Sequence, residues 1–226
     1  MDSPMRMTKL LVIVLVHAVI LGSLAAVPAF AGMQDDVDQA VNILQRFKSI
    51  PEKEIPPSVL RQARGLAIMT VTKAGFIFSA RGGSGIVVAR TRKGWSPPSA
   101  IGTGGAGFGL QIGAEVTEFV IVLNTENAVK AFSQGGNVSL GAQLSVAAGP
   151  VGRTAEASVM PQAAVYTYSR SQGIFAGVSL QGTVIGSRDE ANASYYGRSV
   201  TPSEILSGRI KAPKGAQTLI KTLSRY

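Results

Sequence analysis

Between residues 73 and 113 the chain reads KAGFIFSARGGSGIVVARTRKGWSPPSAIGTGGAGFGLQIG, short β-branched runs broken by glycine every few residues. Glycine at this density weakens any single strand. It is kept where φ must be positive, where the chain bulges, or where another backbone comes close. A β core of tightly turned, closely packed strands follows.

The flanking periodicities complete the outline. Met33, Val37, Val41, Leu44 and Phe47 recur at spacings of three and four, which predicts an amphipathic helix ending before Pro51. Asp35 and Asp36 favour its N-terminal end and Lys48 its other end. Pro56 and Pro57 open a short helix over 58–64. Strands are expected at 66–72, 76–80, 85–91, 99–103, 108–115 and 118–123 as an antiparallel meander, with turns at Gly82-Gly83 and Lys93-Gly94. Asn124 or Thr125 caps a helix to about Phe132, and Gly135-Gly136 stops it. Strand character returns at 138–148, 162–170, 174–180 and 183–186, before helices at 189–196, 202–206 and 216–223. The fold class is α+β. We expect one compact domain, an antiparallel glycine-rich β-barrel or strongly curled sheet, because so many strands need their edges protected. An N-terminal amphipathic helix and C-terminal helices complete it.

The glycine-rich segment, the runs GNVSLGAQLSVAAGPVGRTAEA (136–157) and YSRSQGIFAGVSLQG (168–182), and the closing Asn192-Ala193-Ser194-Tyr195-Tyr196-Gly197 occur together in one order. In these motifs the chain resembles the SYLF-domain family, a lipid-binding module of membrane-trafficking and actin-patch proteins, from about residue 34 to 208. The resemblance implies non-enzymatic binding of anionic lipids, phosphoinositides in eukaryotic members, and offers actin or another protein as the alternative partner. In phosphoinositide-binding relatives a lysine-rich N-terminal helix contributes to membrane contact. Here the matching segment carries Asp35, Asp36 and Asp38 against Arg46 and Lys48.

Residues 1–31 read as a signal peptide. Arg6 and Lys9 precede an apolar run, and Ala29-Phe30-Ala31 supplies small residues before Gly32. An uncleaved anchor is the other reading of the same run. Cleavage makes residues 32–226 the SYLF-like domain and implies an exported protein: periplasmic, envelope-associated or extracellular. Residues 1–31 hold two of the 22 basic and one of the 13 acidic residues, so 20 against 12 remain and the domain stays near +8. That excess favours polyanionic partners. The remainder holds no histidine, since His17 lies in the leader, and the whole chain has no cysteine. A histidine general base, a thiolate nucleophile, His/Cys zinc sites and disulfides are thereby excluded. No enzyme, cofactor or metal site is expected.

Residues 102–107 match G-x-G-x-x-G, but a dinucleotide site needs a helix immediately afterwards and strand character continues instead. Glu115 and Glu118 are separated by three, which in extended structure points them to opposite faces. Glu115 is expected to be buried against Arg81 or Arg90. Arg90, Arg92 and Lys93 cluster at the turn before Trp95, which is either an interfacial anchor or packed under Pro97-Pro98. Arg209, Lys211, Lys214, Lys221 and Arg225 accompany Leu219, Ile220, Leu223 and Tyr226. They form either a basic amphipathic helix for anionic lipid or a solvated face over a core-packed helix. These nine residues, Trp95 included, are the expected lipid-binding set. Nucleic acid is not an expected partner, because aromatic residues are sparse and no recognition motif accompanies the charge.

Overall fold

The computed structural model describes residues 32–50, 54–75, 78–108, 113–151, 163–173, 180 and 182–226. The expected leader, residues 1–31, lies outside them, as does the strand expected at 174–180 apart from Leu180.

Helix α1 (Met33–Lys48) buries Met33, Val37, Ala40, Val41, Ile43, Leu44 and Phe47. This is the stripe its periodicity predicts. Helix α2 (Pro57–Gln62) follows, with proline in its first turn and Val59 and Leu60 buried. Next come β1 (Gly65–Gly75), β2 (Phe78–Thr91), the two-residue β3 (Gly94–Trp95), β4 (Ser99–Phe108) and β5 (Gly113–Leu123). Helix α3 (Glu126–Ser133) is capped by Thr125, whose hydroxyl accepts from the Ala128 amide. The chain continues through β6 (Asn137–Ser139), β7 (Val146–Ala148), β8 (Val165–Gly173) and β9 (Val184–Ser187). It closes with α4 (Asp189–Tyr196), α5 (Pro202–Leu206), a 3-10 turn (Lys214–Ala216) and α6 (Gln217–Leu223).

The strands form one sheet in the order β6-β9-β4-β2-β1-β5-β8-β7, with β3 paired to β2. The expected meander is corrected on three points. The turn expected at Gly82-Gly83 lies inside the unbroken β2, which merges the strands expected at 76–80 and 85–91. Strand β5 pairs with β1 rather than β4, which satisfies the second backbone edge of a buried strand. The strands expected at 108–115 and 118–123 are largely one strand, β5, carrying both Glu115 and Glu118. The sheet is also mixed, because β7 runs parallel to β8 while the other pairs are antiparallel. Its two end strands, β6 and β7, are consecutive in the chain, joined by residues 140–145 with Leu140 and Leu144 bridged. So short a link forces the opposite ends of the sheet towards each other. The strands therefore form a strongly curled half-barrel, as the edge argument anticipates.

Alternation divides β1 between two cores. Leu66 and Ile68 face α1 with Ile86, Val88, Val120, Leu219 and Leu223. Ala67, Met69 and Val71 face the other way, with Phe119, Ile121, Phe132, Val138, Leu144 and Ile185. Residues from both ends of the sheet meet in the second cluster, so that face is the inside of the curl. Here the glycines act. A Cβ on Gly83 would lie 2.5 Å from the Thr70 carbonyl oxygen, and one on Gly85 would strike the Ile68 carbonyl oxygen. The β1–β2 hairpin coils this tightly because those two positions on its inner face carry no side chain.

Candidate functional site

The sequence-expected cations fall into two kinds once folded. Arg90, at the end of β2, turns its guanidinium inward and donates to the Leu60 carbonyl at 3.1 Å and the Ala63 carbonyl at 3.4 Å. It thereby satisfies carbonyls that the C-terminus of α2 leaves unpaired. Its carbon Cζ lies 4.2 Å from the centre of the Trp95 ring, a cation–π distance. Burial lowers the guanidinium pKa. Trp95 is only 8% exposed, and its indole N–H donates to the Leu223 carbonyl at 3.0 Å. The interfacial-anchor reading of Trp95 is corrected, because the ring and its N–H are both spent joining β3 to α6.

Arg92, Lys93, Arg209, Lys211, Lys214, Lys221 and Arg225 are all exposed. Two contacts join the elements that carry these clusters, which lie over a hundred residues apart in sequence. Gly208 sits so close to Thr91 that a Cβ there would lie 3.3 Å from its methyl group. The Trp95–Leu223 hydrogen bond ties the β2–β3 turn to α6. In the terminal basic segment the cations are exposed over a core-packed helix. Leu219 and Leu223 are fully buried, and α6 packs on α1. A helix whose apolar stripe is already covered has none to insert into a bilayer.

Carboxylates carry the polar contacts that sequence reasoning missed. Glu118, on the α1 side of β5, receives Arg46 Nη2 at 2.5 Å and Arg46 Nε at 3.1 Å, with Arg170 Nη1 at 3.6 Å. Glu115 faces the inside of the curl, 2% exposed, and accepts from the Thr117 hydroxyl at 3.2 Å. Its expected partners are corrected. Arg90 is on the opposite face, and Lys73 stands in register between Arg81 and Glu115. Asp36, expected to serve the α1 dipole, is 5% exposed. It accepts from the Ser84 hydroxyl and from Arg188 Nη1, each at 2.6 Å. Desolvation raises its pKa, against the lowering effect of Ser84 and Arg188. Nothing local pairs residues 36, 84 and 188 in sequence. A charge at an otherwise apolar helix position was the one available signal.

Among the described residues no group of three or more His, Cys, Asp or Glu is placed to hold a metal, and no helix is long and apolar enough to cross a membrane. Residues 102–107 lie inside β4, as strand rather than a phosphate loop.

The family described as Las17-binding protein actin regulator, Ysc84, matches residues 104–226. LAS seventeen-binding protein 3 of Saccharomyces cerevisiae is 51% identical over 206 residues, covering 87% of this chain and 45% of that protein. Protein YSC84 of the same yeast is 46% identical over 206 residues, 87% of this chain and 44% of its own length. SH3 domain-containing YSC84-like protein 1 of Homo sapiens is 45% identical over 207 residues, 88% of this chain and 60% of its length. The chain thus spans about half the length of the curated relatives it matches. These matches overturn the expected exported, secreted location. The family is described as an actin regulator and a relative is named for its SH3 domain, neither of which fits an exported protein, and the envelope or extracellular address is withdrawn.

Proposed function

Because the chain belongs to the Ysc84 family of Las17-binding actin regulators, the family its glycine-rich motifs resemble under the name SYLF, we propose that it is a non-enzymatic protein-interaction module of actin regulation. The observation that carries this reading is the 51% identity to LAS seventeen-binding protein 3 over 87% of the chain. At that identity the fold carries over. The family description is that of a regulator, in keeping with action by binding rather than by catalysis. Two measurements test it, co-sedimentation of the full chain with actin filaments and pull-down with Las17. Saturable binding to either is expected, and failure of both overturns the reading.

A second reading, peripheral binding to an anionic lipid surface, is favoured by the seven exposed cations of the β2–β3 turn and the C-terminal segment. Binding of this kind is charge-led and loses strength as salt screens it. Flotation with phosphatidylserine vesicles across a salt series tests it: binding that weakens with salt supports the reading, and no binding at low salt removes it.

A further inference from the structure

We propose that the cleft between α2 and α3 is a docking groove for an acidic peptide segment of a protein partner, gripped by Arg61 and Arg64. The inference deepens the protein-interaction reading and rests on it. The cleft has a volume of about 1090 Å³, bounded by the end of α2, the start of α3 and the turn before Ser145. Among the described residues its lining holds three arginines, Arg61, Arg64 and Arg90, and no carboxylate. Arg90 is already bonded to the Leu60 and Ala63 carbonyls. Arg61 and Arg64 are exposed, and neither side chain has a hydrogen bond or ion pair among the described residues. Two guanidinium forks are therefore available on one wall, and a guanidinium fork matches a carboxylate with two parallel hydrogen bonds.

The other walls are braced. The Asn124 amide donates to the Ala163 carbonyl at 3.0 Å, and the Ser145 hydroxyl accepts from the Ala164 amide at 2.9 Å. Thr125 is spent on the α3 cap at 3.1 Å. A groove held this way exists before its ligand arrives, which lowers the ordering cost of binding.

Shape and chemistry select a peptide. Cations on the wall of a concave cleft are out of reach of a flat bilayer, whereas an extended chain can enter. A nucleotide would want an open aromatic face to stack on, and the one aromatic in the lining, Tyr166, is only 7% exposed.

The test is fluorescence anisotropy of a labelled oligoglutamate peptide titrated with the full chain, with oligoglutamine of equal length as control. Arg61→Glu/Arg64→Glu is expected to weaken oligoglutamate binding by at least about tenfold, the scale of losing paired charges across an interface. Arg61→Lys/Arg64→Lys should fall between, keeping charge but losing the fork. Arg209→Glu/Lys211→Glu, outside the lining of the cleft, should lose clearly less affinity than Arg61→Glu/Arg64→Glu if the groove is the site. Thermal melts of all three variants at the wild-type midpoint would attribute the losses to the groove. Equal loss from both charge-reversal pairs, no loss from the first, or equal binding of oligoglutamine overturns the inference. So does displacement of the peptide by phosphatidylserine vesicles that bind through the same arginines. If actin or Las17 binding persists in Arg61→Glu/Arg64→Glu while oligoglutamate binding never depended on those residues, the groove fails and the proposed function stands. Oligoglutamate binding of the expected pattern with no actin or Las17 binding would leave the groove and remove the function.

Discussion

At the scale of single residues, the fold depends on positions where one atom more or one charge less is felt at once. Gly85 is the sharpest, because any Cβ meets both the Ile68 carbonyl oxygen and the backbone of Met69 across the hairpin. Neither neighbour is the movable end of a side chain. Gly85→Ala is therefore expected to destabilise the protein by about 1–3 kcal/mol, the usual scale of overpacking, read as a lowered urea midpoint; an unchanged midpoint would refute the close-approach account. Asp36 makes a pH prediction of definite sign. Its folded pKa is raised above the ordinary 3.8 by burial, so the folded state holds its proton more tightly than the unfolded chain. The stability it contributes is complete below that ordinary value and is lost as pH rises through the folded value. Relative to Asp36→Asn, the wild type should lose stability across that window and stay parallel above it. Urea melts of the two proteins across the acid range check this, and a wild type that instead gains stability relative to Asp36→Asn as pH rises would show that Arg188 and Ser84 outweigh desolvation.

At the scale of elements, α5 and α6 show how short helices are kept. Five-residue α5 is held by a capping box, in which Thr201 accepts from the Glu204 amide while the Glu204 carboxylate accepts from the Thr201 amide at 2.8 Å. Those hydrogen bonds pull the Glu204 pKa down. Thr201→Ala is expected to cost about 1 kcal/mol, measured by chemical denaturation. Seven-residue α6 is too short to be stable alone. It owes its place to Leu219 and Leu223 against α1 and to the Trp95 hydrogen bond. Leu219→Ala should cost about 2–5 kcal/mol, the range for truncating a buried leucine. A cost below about 0.5 kcal/mol would mean that the helix is not part of the core.

At the scale of the whole molecule, both faces of the curled sheet are covered, and the covering helices come from opposite ends of the chain. Trp95 sits at the junction and is the sole tryptophan, so its fluorescence reports the union of β3 with α6. One cooperative unit requires that this signal and far-UV circular dichroism unfold at the same urea concentration; two separate midpoints would show that the terminal segment docks independently.

Much of this architecture was legible in the chain. The α1 stripe, the Thr125 cap, the α+β class and the curl required by many strands follow from period, capping chemistry and the need to satisfy backbone edges, all of which are local or additive. The glycine run announced close strand packing for the same reason, since the cost of a Cβ is paid by one residue against its immediate neighbours. Pairing of β5 with β1, the contacts between the elements that carry the two basic clusters, the burial of Trp95 and the Asp36, Ser84 and Arg188 contact were decided only by the tertiary structure. They join residues dozens to more than a hundred positions apart, and a charge reads the same in sequence whether it ends in water or against a carbonyl. The arginines show this most plainly: Arg90 is drawn inward by the carbonyls of α2, while Arg61 and Arg64, of the same residue type, are exposed.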